Sequence, residues 1–233
     1  MKNLLQKSMI AAVLAATALS SQAVNMQSVQ GANVVFYYDA DFWGANSATV
    51  TGNDIAFLLS SDYHLSAATS KLTGTPSASF VDSTETALVV VAKNGFALDS
   101  KVANGLTGSA VIGAGNASAS FSADIFSGSY SAGHFSAGPQ IDDFVISGTT
   151  THSAVLNASG LSAGDGHSYS VLGLSSAINV AVSQFGRGAS TADLDVAKFG
   201  FSVTAVPEPE TYMMLVGGLG LVAFAARRRK QQA

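Results

Sequence analysis

Residues 117–125 read Ala-Ser-Ala-Ser-Phe-Ser-Ala-Asp-Ile, and this stretch decides the fold class. Its apolar residues occupy every odd position and its polar residues every even position. Successive side chains of a β-strand point to opposite faces of the sheet. The alternation therefore predicts a strand that is buried on one face and solvated on the other.

Other segments between residues 33 and 204 share this β character, and clusters of small turn-forming residues separate them. The predicted strands cover residues 33–38, 54–59, 87–92, 141–147, 152–156, 167–172, 178–184 and 194–204. Turn clusters lie at 44–47, 93–95 and 163–166, and their Asn-Gly and Asp-Gly pairs are strong turn or hairpin signals. Short strands joined by turns predict an all-β body of about nine or ten strands, built as an antiparallel β-sandwich or jelly-roll.

The N-terminus has the three parts of a secretory signal peptide. Lys2 and Lys7 are basic, residues 9–19 are apolar, and Ser21-Gln22-Ala23 supplies small residues at both positions that a signal peptidase reads. We expect export by the general secretory machinery and cleavage by signal peptidase after Ala23, because the apolar run is too short for a membrane anchor.

The C-terminus also has three parts: a proline-containing polar stretch, an apolar run over residues 211–226, and a basic cluster. The 16 apolar residues span about 24 Å as a helix, against about 30 Å for a bilayer core. We predict a transmembrane helix over 211–226 whose basic stop stays in the cytoplasm. The predicted domains are a signal peptide (1–23), a β-sandwich ectodomain (24–205) and a C-terminal tail (206–233). The polar stretch is Val206, Pro207, Glu208, Pro209 and Glu210, and the basic stop is Arg227, Arg228, Arg229 and Lys230.

This tail resembles the PEP-CTERM sorting signal of Gram-negative bacteria. Pro207-Glu208-Pro209 matches the motif, and the apolar run and the arginine cluster complete the pattern in the same order. The resemblance implies recognition by an exosortase, a membrane-embedded cysteine protease-transpeptidase, with removal of the tail. It also implies a link to exopolysaccharide, biofilm and the cell surface. A plain C-terminal membrane anchor is the alternative, because it shares the helix and the charges without requiring Pro-Glu-Pro.

The charge of the body differs from that of the whole chain. Residues 24–206 contain five basic and 13 acidic residues, a balance of −8, whereas the whole chain carries −4 because the two ends hold most of the positive charge. Such a body lacks the basic surface that nucleic-acid binding requires. The chain has no cysteine, which excludes disulfides and thiol catalysis.

One motif suggests hydrolytic chemistry. Gly160-Leu161-Ser162-Ala163-Gly164 fits the G-x-S-x-G pattern of a nucleophile elbow, in which the serine lies between a strand and a helix. The residues that follow Ser162 predict a turn instead, and His167 is too close in sequence for an ordinary triad. The four histidines, His64, His134, His152 and His167, show no metal-binding spacing.

Asp142 and Asp143 are candidate calcium ligands. They are adjacent in a predicted strand, so their carboxylates point to opposite faces. At a strand entrance, one of them together with backbone oxygens could hold Ca²⁺; the alternative is that Asp142 caps a turn. The stretch 140–144 also resembles the Phe-x-Asp-x-Phe element of one PEP-CTERM subfamily. Asp142 and Phe144 match that element, whereas Gln140 stands where the first Phe belongs.

A cluster of aromatic and acidic residues lies near the mature N-terminus, and such clusters can bind sugars by stacking and hydrogen bonding. Aromatic residues in strands are otherwise core residues, and this alternative stays open. The cluster consists of Tyr37, Tyr38, Asp39, Asp41, Phe42 and Trp43.

We interpret the chain as an exported, non-enzymatic surface or extracellular-matrix protein that is processed by exosortase and linked to exopolysaccharide or biofilm. The alternatives are a carbohydrate-binding module, calcium-assisted or not, and a secreted serine hydrolase. We expect no cofactor and no nucleic-acid partner, and only transient attachment to the membrane before release to the cell surface.

Overall fold

The chain forms antiparallel β-sheets in a computed structural model, which describes residues 25–206, Met214 and residues 216–219. Residues 25–206 contain two sheets that enclose one hydrophobic core in a sandwich-like arrangement. The all-β prediction is confirmed for this segment. The signal peptide, the cleavage site at Ala23, residues 207–213 and the basic stop lie outside the described residues.

Sheet A has six strands in the order β1-β2-β6-β13-β8-β9, and every neighbouring pair is antiparallel. Its four long strands pair over most of their length. The bounds are β1 (Met26–Gln30), β2 (Val34–Asp39), β6 (Ser77–Ala92), β8 (Gly115–Ser131), β9 (His134–Thr150) and β13 (Val171–Gln184).

Sheet B has eight strands arranged around two long central ones, β7 and β14. β7 and β14 pair with each other. The free edge of β7 pairs with the short strands β10, β11 and β12. The free edge of β14 pairs with β5 and β4, and β4 pairs in turn with β3. The bounds are β3 (Ala48–Thr51), β4 (Asp54–Leu58), β5 (His64–Thr69), β7 (Phe96–Val111), β10 (Ala154–Val155), β11 (Ala158–Leu161), β12 (Ser168–Tyr169) and β14 (Gly188–Ala205).

The predicted alternation at residues 117–125 forms the middle of β8. Ala117, Ala119, Phe121, Ala123 and Ile125 are buried in the core, while the intervening residues point away from it. The predicted strand 178–184 is the second half of β13, whereas the predicted strand 167–172 divides between β12 and the first two residues of β13. The register of β13 shifts between Leu174 and Ser176, and this bulge interrupts the alternation of apolar and polar residues along the strand.

The core is centred on an aromatic cluster. Trp43, at the end of the short helix α1 (Ala40–Trp43), stacks on Phe57 with ring centroids 4.2 Å apart. Phe121 and Phe199 complete the cluster from opposite sheets, each with its ring edge toward Trp43. The indole N–H donates a 2.9 Å hydrogen bond to the carbonyl of Ala87, which satisfies the one polar group of this side chain.

Two turns between long strands differ in what they connect. The turn at 93–95 carries the chain from sheet A to sheet B, so the predicted Asn-Gly turn is present but links two sheets rather than two paired strands. Ala132 and Gly133, with φ of 51° and 84°, form the two-residue hairpin turn between β8 and β9. Positive φ at both positions is what a type I′ turn requires.

The described part of the tail is short. Met214 and residues 216–219 are helical and exposed. Across residues 25–206, Met214 and residues 216–219, no helix has the length and apolar character that crossing a bilayer requires.

Candidate functional site

The last strand of the fold leads directly into the tail. Ala205 pairs with Phe96 at the end of β14, and the N–H of Val206 donates a 2.8 Å hydrogen bond to the carbonyl of Gly95. Gly95 has φ of +81°, a value that glycine adopts at no steric cost. We call this end of the sandwich the tail junction, defined by residues 93–95 and 205–206.

A lysine ties a neighbouring turn to the tail junction. The ammonium of Lys93 donates hydrogen bonds of 2.7 and 3.2 Å to the carbonyls of Gly31 and Ala32. The side chain of Val206 is 48% exposed, so the backbone leaves the fold at the surface. Of the predicted sorting residues, Val206 is placed by the structure, and Pro207, Glu208, Pro209 and Glu210 lie outside the described residues.

Ser162 does not occupy a nucleophile elbow. It follows β11, but residues 163–167 form a loop rather than a helix. Its buried Oγ accepts a 2.9 Å hydrogen bond from the N–H of Val102, and its own N–H donates to the Val102 carbonyl at 3.0 Å. Ser162 therefore holds this loop against β7, and the local geometry that the hydrolase hypothesis requires is absent from these residues.

The calcium candidates lie on opposite faces of β9, as their adjacency predicts. Asp142 Oδ2 accepts a 2.6 Å hydrogen bond from the N–H of Gly164, whose φ is +67°. Asp143 is exposed and faces Asp124 across the strand pair. No group of three or more acidic or histidine side chains that could hold a metal occurs within the described residues.

Most of the aromatic cluster near the N-terminus belongs to the core rather than to a sugar-binding surface. Tyr38, Phe42 and Trp43 are buried. Asp39 is buried as well. Its carboxylate caps α1 by accepting from the N–H of Asp41 and also accepts from the hydroxyl of Thr84 at 3.1 Å. Tyr37, half-buried, packs against Tyr130 with ring centroids 4.1 Å apart and the ring planes tilted by 34°.

The histidines are dispersed. His64 Nδ1 lies 2.8 Å from Asp193 Oδ1, and His167 Nδ1 lies 3.3 Å from Asp165 Oδ2. These two pairs are the only contacts of ion-pair geometry within the described residues.

Asp165 organises the loop between β11 and β12. The Asp-Gly sequence at 165–166 predicts a turn here but not the hydrogen bonds of the carboxylate. The hydroxyl of Tyr169 donates to its carboxylate, and the N–H of His167 donates at 2.9 Å. These hydrogen bonds lower the pKa of Asp165 to about 2, because they favour the ionised form.

A cavity of about 600 Å³ crosses four strands of sheet A and was not foreseen from the sequence. Glu85, Asp124 and Asp143 line it together with serine hydroxyls of neighbouring strands. The N–H of Asp124 donates a 2.8 Å hydrogen bond to the hydroxyl of Ser175, which lies in the bulge of β13. We call this the acidic groove. Its residues are far apart in sequence, and only strand pairing brings them together.

Comparison with known proteins gives one match to a family. The family described as the PEP-CTERM protein-sorting motif matches residues 205–230, which begin at the last residue of β14. No curated protein matches the chain.

The likeness to solved structures is slight. An arabinose-bound α-L-arabinofuranosidase is 12% identical, with the match covering 77% of this chain and 24% of that chain at a TM-score of 0.20. The CBM22-1 xylan-binding domain of Xyn10C from Paenibacillus barcinonensis is 16% identical, covering 62% of this chain and 94% of that chain at a TM-score of 0.19. The VP2 subviral particle of infectious bursal disease virus is 12% identical, covering 76% and 49% at 0.16. This chain therefore spans about a quarter of the arabinofuranosidase, and TM-scores this low carry no argument about fold or ligand.

Proposed function

Because this chain is a PEP-CTERM protein with its sorting motif at residues 205–230, we propose that it is an exported, non-enzymatic protein of the cell surface or extracellular matrix. Exosortase recognises the motif and processes the tail. The β-sandwich of residues 25–206 is the part that is delivered, in association with exopolysaccharide or biofilm.

The tail junction is the observation that supports this proposal. The matched motif begins at Ala205, where β14 ends, and Val206 makes the last backbone hydrogen bond to the turn at 93–95. Pro207 follows at once and cannot donate to a sheet. The Pro-Glu-Pro sequence therefore begins directly after a surface end of the fold, where a processing enzyme can approach it.

Covalent geometry limits how far the sandwich can stand from the apolar run. Residues 207–210 separate Val206 from Thr211, and a fully extended chain covers at most about 18 Å over those five steps. With residues 211–226 in the membrane, the tail junction lies close to the membrane surface. The enzyme would thus meet the motif beside the 93–95 turn.

The sorting role is tested by mass spectrometry of the chain from cells with and without exosortase. We expect loss of the tail in the first and a full-length C-terminus, still membrane-bound, in the second. The double variant Pro207→Ala, Glu208→Ala should keep its tail yet lose residues 1–23. Pro139→Ala, an exposed proline of β9, is the matched control and should be processed normally. A tail retained in cells that contain exosortase would instead support a plain membrane anchor.

A carbohydrate-binding role is the second candidate, and the acidic groove is the observation that favours it. Carboxylates and hydroxyls on a concave surface are groups that bind sugar hydroxyls by hydrogen bonding. Asp143 lies in this groove and Asp142 does not, so a calcium-assisted form would have only one of the two candidate ligands.

Calorimetry of the exported chain against neutral exopolysaccharide tests this role. We expect heat of binding that is unchanged by a chelator and weakened by Asp143→Asn. Asp195→Asn, an exposed carboxylate of sheet B, serves as the control. Absence of heat at high ligand concentration would contradict a carbohydrate-binding role for the groove.

A further inference from the structure

The end of the sandwich opposite to the tail junction is formed by three turns. β14 has 18 residues, which separate its two ends by about 56 Å at about 3.3 Å per residue. In the turn that precedes its first residue, the N–H of Gly186 donates a 2.8 Å hydrogen bond to the carbonyl of Gly74, and the N–H of Phe185 donates to the carbonyl of Ala114. We call this end the distal tip, defined by residues 70–76, 112–114 and 185–187.

The distal tip differs in charge from the rest of the body. It carries Lys71 and Arg187, while the remainder of residues 24–206 holds three basic residues and all 13 carboxylates. No Asp or Glu occurs in the segments that form the tip and the adjoining parts of the strands, which are residues 66–81, 111–123, 144–157 and 176–192. The molecule therefore has a positive end on an otherwise negative body.

Exposed apolar side chains accompany the two cations. Leu72 is 81% exposed and Phe185 is 52% exposed. Lys71 and Arg187 are exposed, and within the described residues neither makes an ion pair. Phe185 and Arg187 lie two positions apart in the same turn, and aromatic residues and arginine are enriched at binding surfaces.

A buried glutamine holds the distal tip rigid. Gln184 is fully buried, and its Oε1 accepts from the N–H of Ala114 at 3.2 Å and from the hydroxyl of Ser190 at 2.6 Å. Its Nε2 donates to the carbonyls of Phe185 and Gly186, both at 3.3 Å. The loop that presents Phe185 and Arg187 is thus ordered before any ligand arrives, which lowers the entropic cost of binding.

The other basic residues lie elsewhere. Lys93 is hydrogen-bonded to two carbonyls beside the tail junction. Lys101 and Lys198 lie on β7 and β14, the long strands of sheet B, which also carry the half-buried Asp99 and the exposed Asp195. A polyanion approaching the molecule is therefore repelled by most of its surface and attracted at the distal tip.

From these observations we infer that the distal tip binds a polyanionic glycan, a polymer of carboxylate-bearing sugars such as a polyuronate. The guanidinium of Arg187 and the ammonium of Lys71 pair with sugar carboxylates, and Phe185 and Leu72 contact the apolar faces of the rings. The inference goes beyond the proposed sorting role and uses it only for orientation. With the tail junction at the membrane, the distal tip faces outward, where a polymer can reach it.

The test measures binding of the exported chain, purified in neutral detergent, to immobilised polygalacturonate, with neutral dextran as the uncharged polymer. We expect binding to polygalacturonate that weakens as salt is raised, whereas the response to dextran should not change with salt or with substitutions at the tip. The variant Lys71→Gln, Arg187→Gln should bind roughly tenfold more weakly, the loss expected for two exposed ion pairs. Lys101→Gln, Lys198→Gln changes the net charge equally and should bind within twofold of the unmodified chain.

Three results would overturn the inference. The first is an equal loss in both double variants, which would mean that net charge alone decides. The second is double-stranded DNA binding as tightly as polygalacturonate. The third is self-association without polymer, seen by sedimentation and abolished by the tip variant, which would make the tip a contact between copies. None of these measurements involves exosortase, so failure of the inference is distinguishable from failure of the sorting role.

Discussion

Replacing Gln184 by leucine tests whether one buried amide organises the distal tip. The substitution removes the four hydrogen bonds that the side chain makes to Ala114, Phe185, Gly186 and Ser190. At about 1 kcal/mol net per bond the loss is about 4 kcal/mol. Burial of the leucine side chain returns about 1–2 kcal/mol of this. We expect the free energy of unfolding to fall by about 2–3 kcal/mol and Tm by about 5–10 °C.

The assay is urea unfolding of the exported chain in neutral detergent, followed by tryptophan fluorescence of Trp43. Gln140→Leu is the matched control, because Gln140 is exposed and its amide makes only exposed hydrogen bonds, to the carboxylate of Asp124 at 3.1 Å and to the carbonyl of Asp142 at 3.5 Å. That variant should change the free energy of unfolding by less than about 0.5 kcal/mol. A Gln184→Leu variant as stable as the control would refute the role of this side chain as an organising group.

Three further predictions concern single side chains. Burial, and next the carboxylate of Asp82, raise the pKa of Tyr63. The stability contributed by the neutral hydroxyl is therefore complete below the unfolded pKa near 10 and is lost as pH rises above it. Tyr63→Phe should keep its free energy of unfolding in urea at pH 11, where that of the unmodified chain falls. Ser162→Ala removes the acceptor of the Val102 N–H and should cost about 1–2 kcal/mol in urea unfolding. Trp43→Ala empties the centre of the core and should cost about 3–5 kcal/mol, seen as a lower yield of exported protein and a lower Tm by calorimetry.

Local alternation predicts the strands, because it reports which face of each strand is buried. Residues 117–125 form part of β8 as predicted, and residues 33–38 and 54–59 agree with β2 and β4 to within one residue at each end. Pairing between strands is not local. The assignment of β6 to sheet A and β7 to sheet B depends on the whole core, so the 93–95 turn could not be recognised as a connection between sheets.

The site residues illustrate the same limit. The sorting motif at the tail is contiguous, so the sequence alone reveals it. The acidic groove instead brings together Glu85, Asp124 and Asp143 from three strands, and only strand pairing places them side by side. The aromatic residues near Trp43 have a composition compatible with either a sugar-binding surface or a core. Only the packing against Phe57 and Phe199 decides for the core.

The position of β14 has a mechanical consequence. This strand is paired on both edges, with β7 along nearly its whole length and with β5 and β4 on the other side. Antiparallel hydrogen bonds run perpendicular to the strands, so tension applied at Val206 along β14 loads the bonds of both edges in shear and at the same time. A force on a hairpin end would instead break its bonds one after another. A force applied to the tail is therefore resisted by many hydrogen bonds of β14 at once, and we expect the domain to stay folded while the tail is pulled.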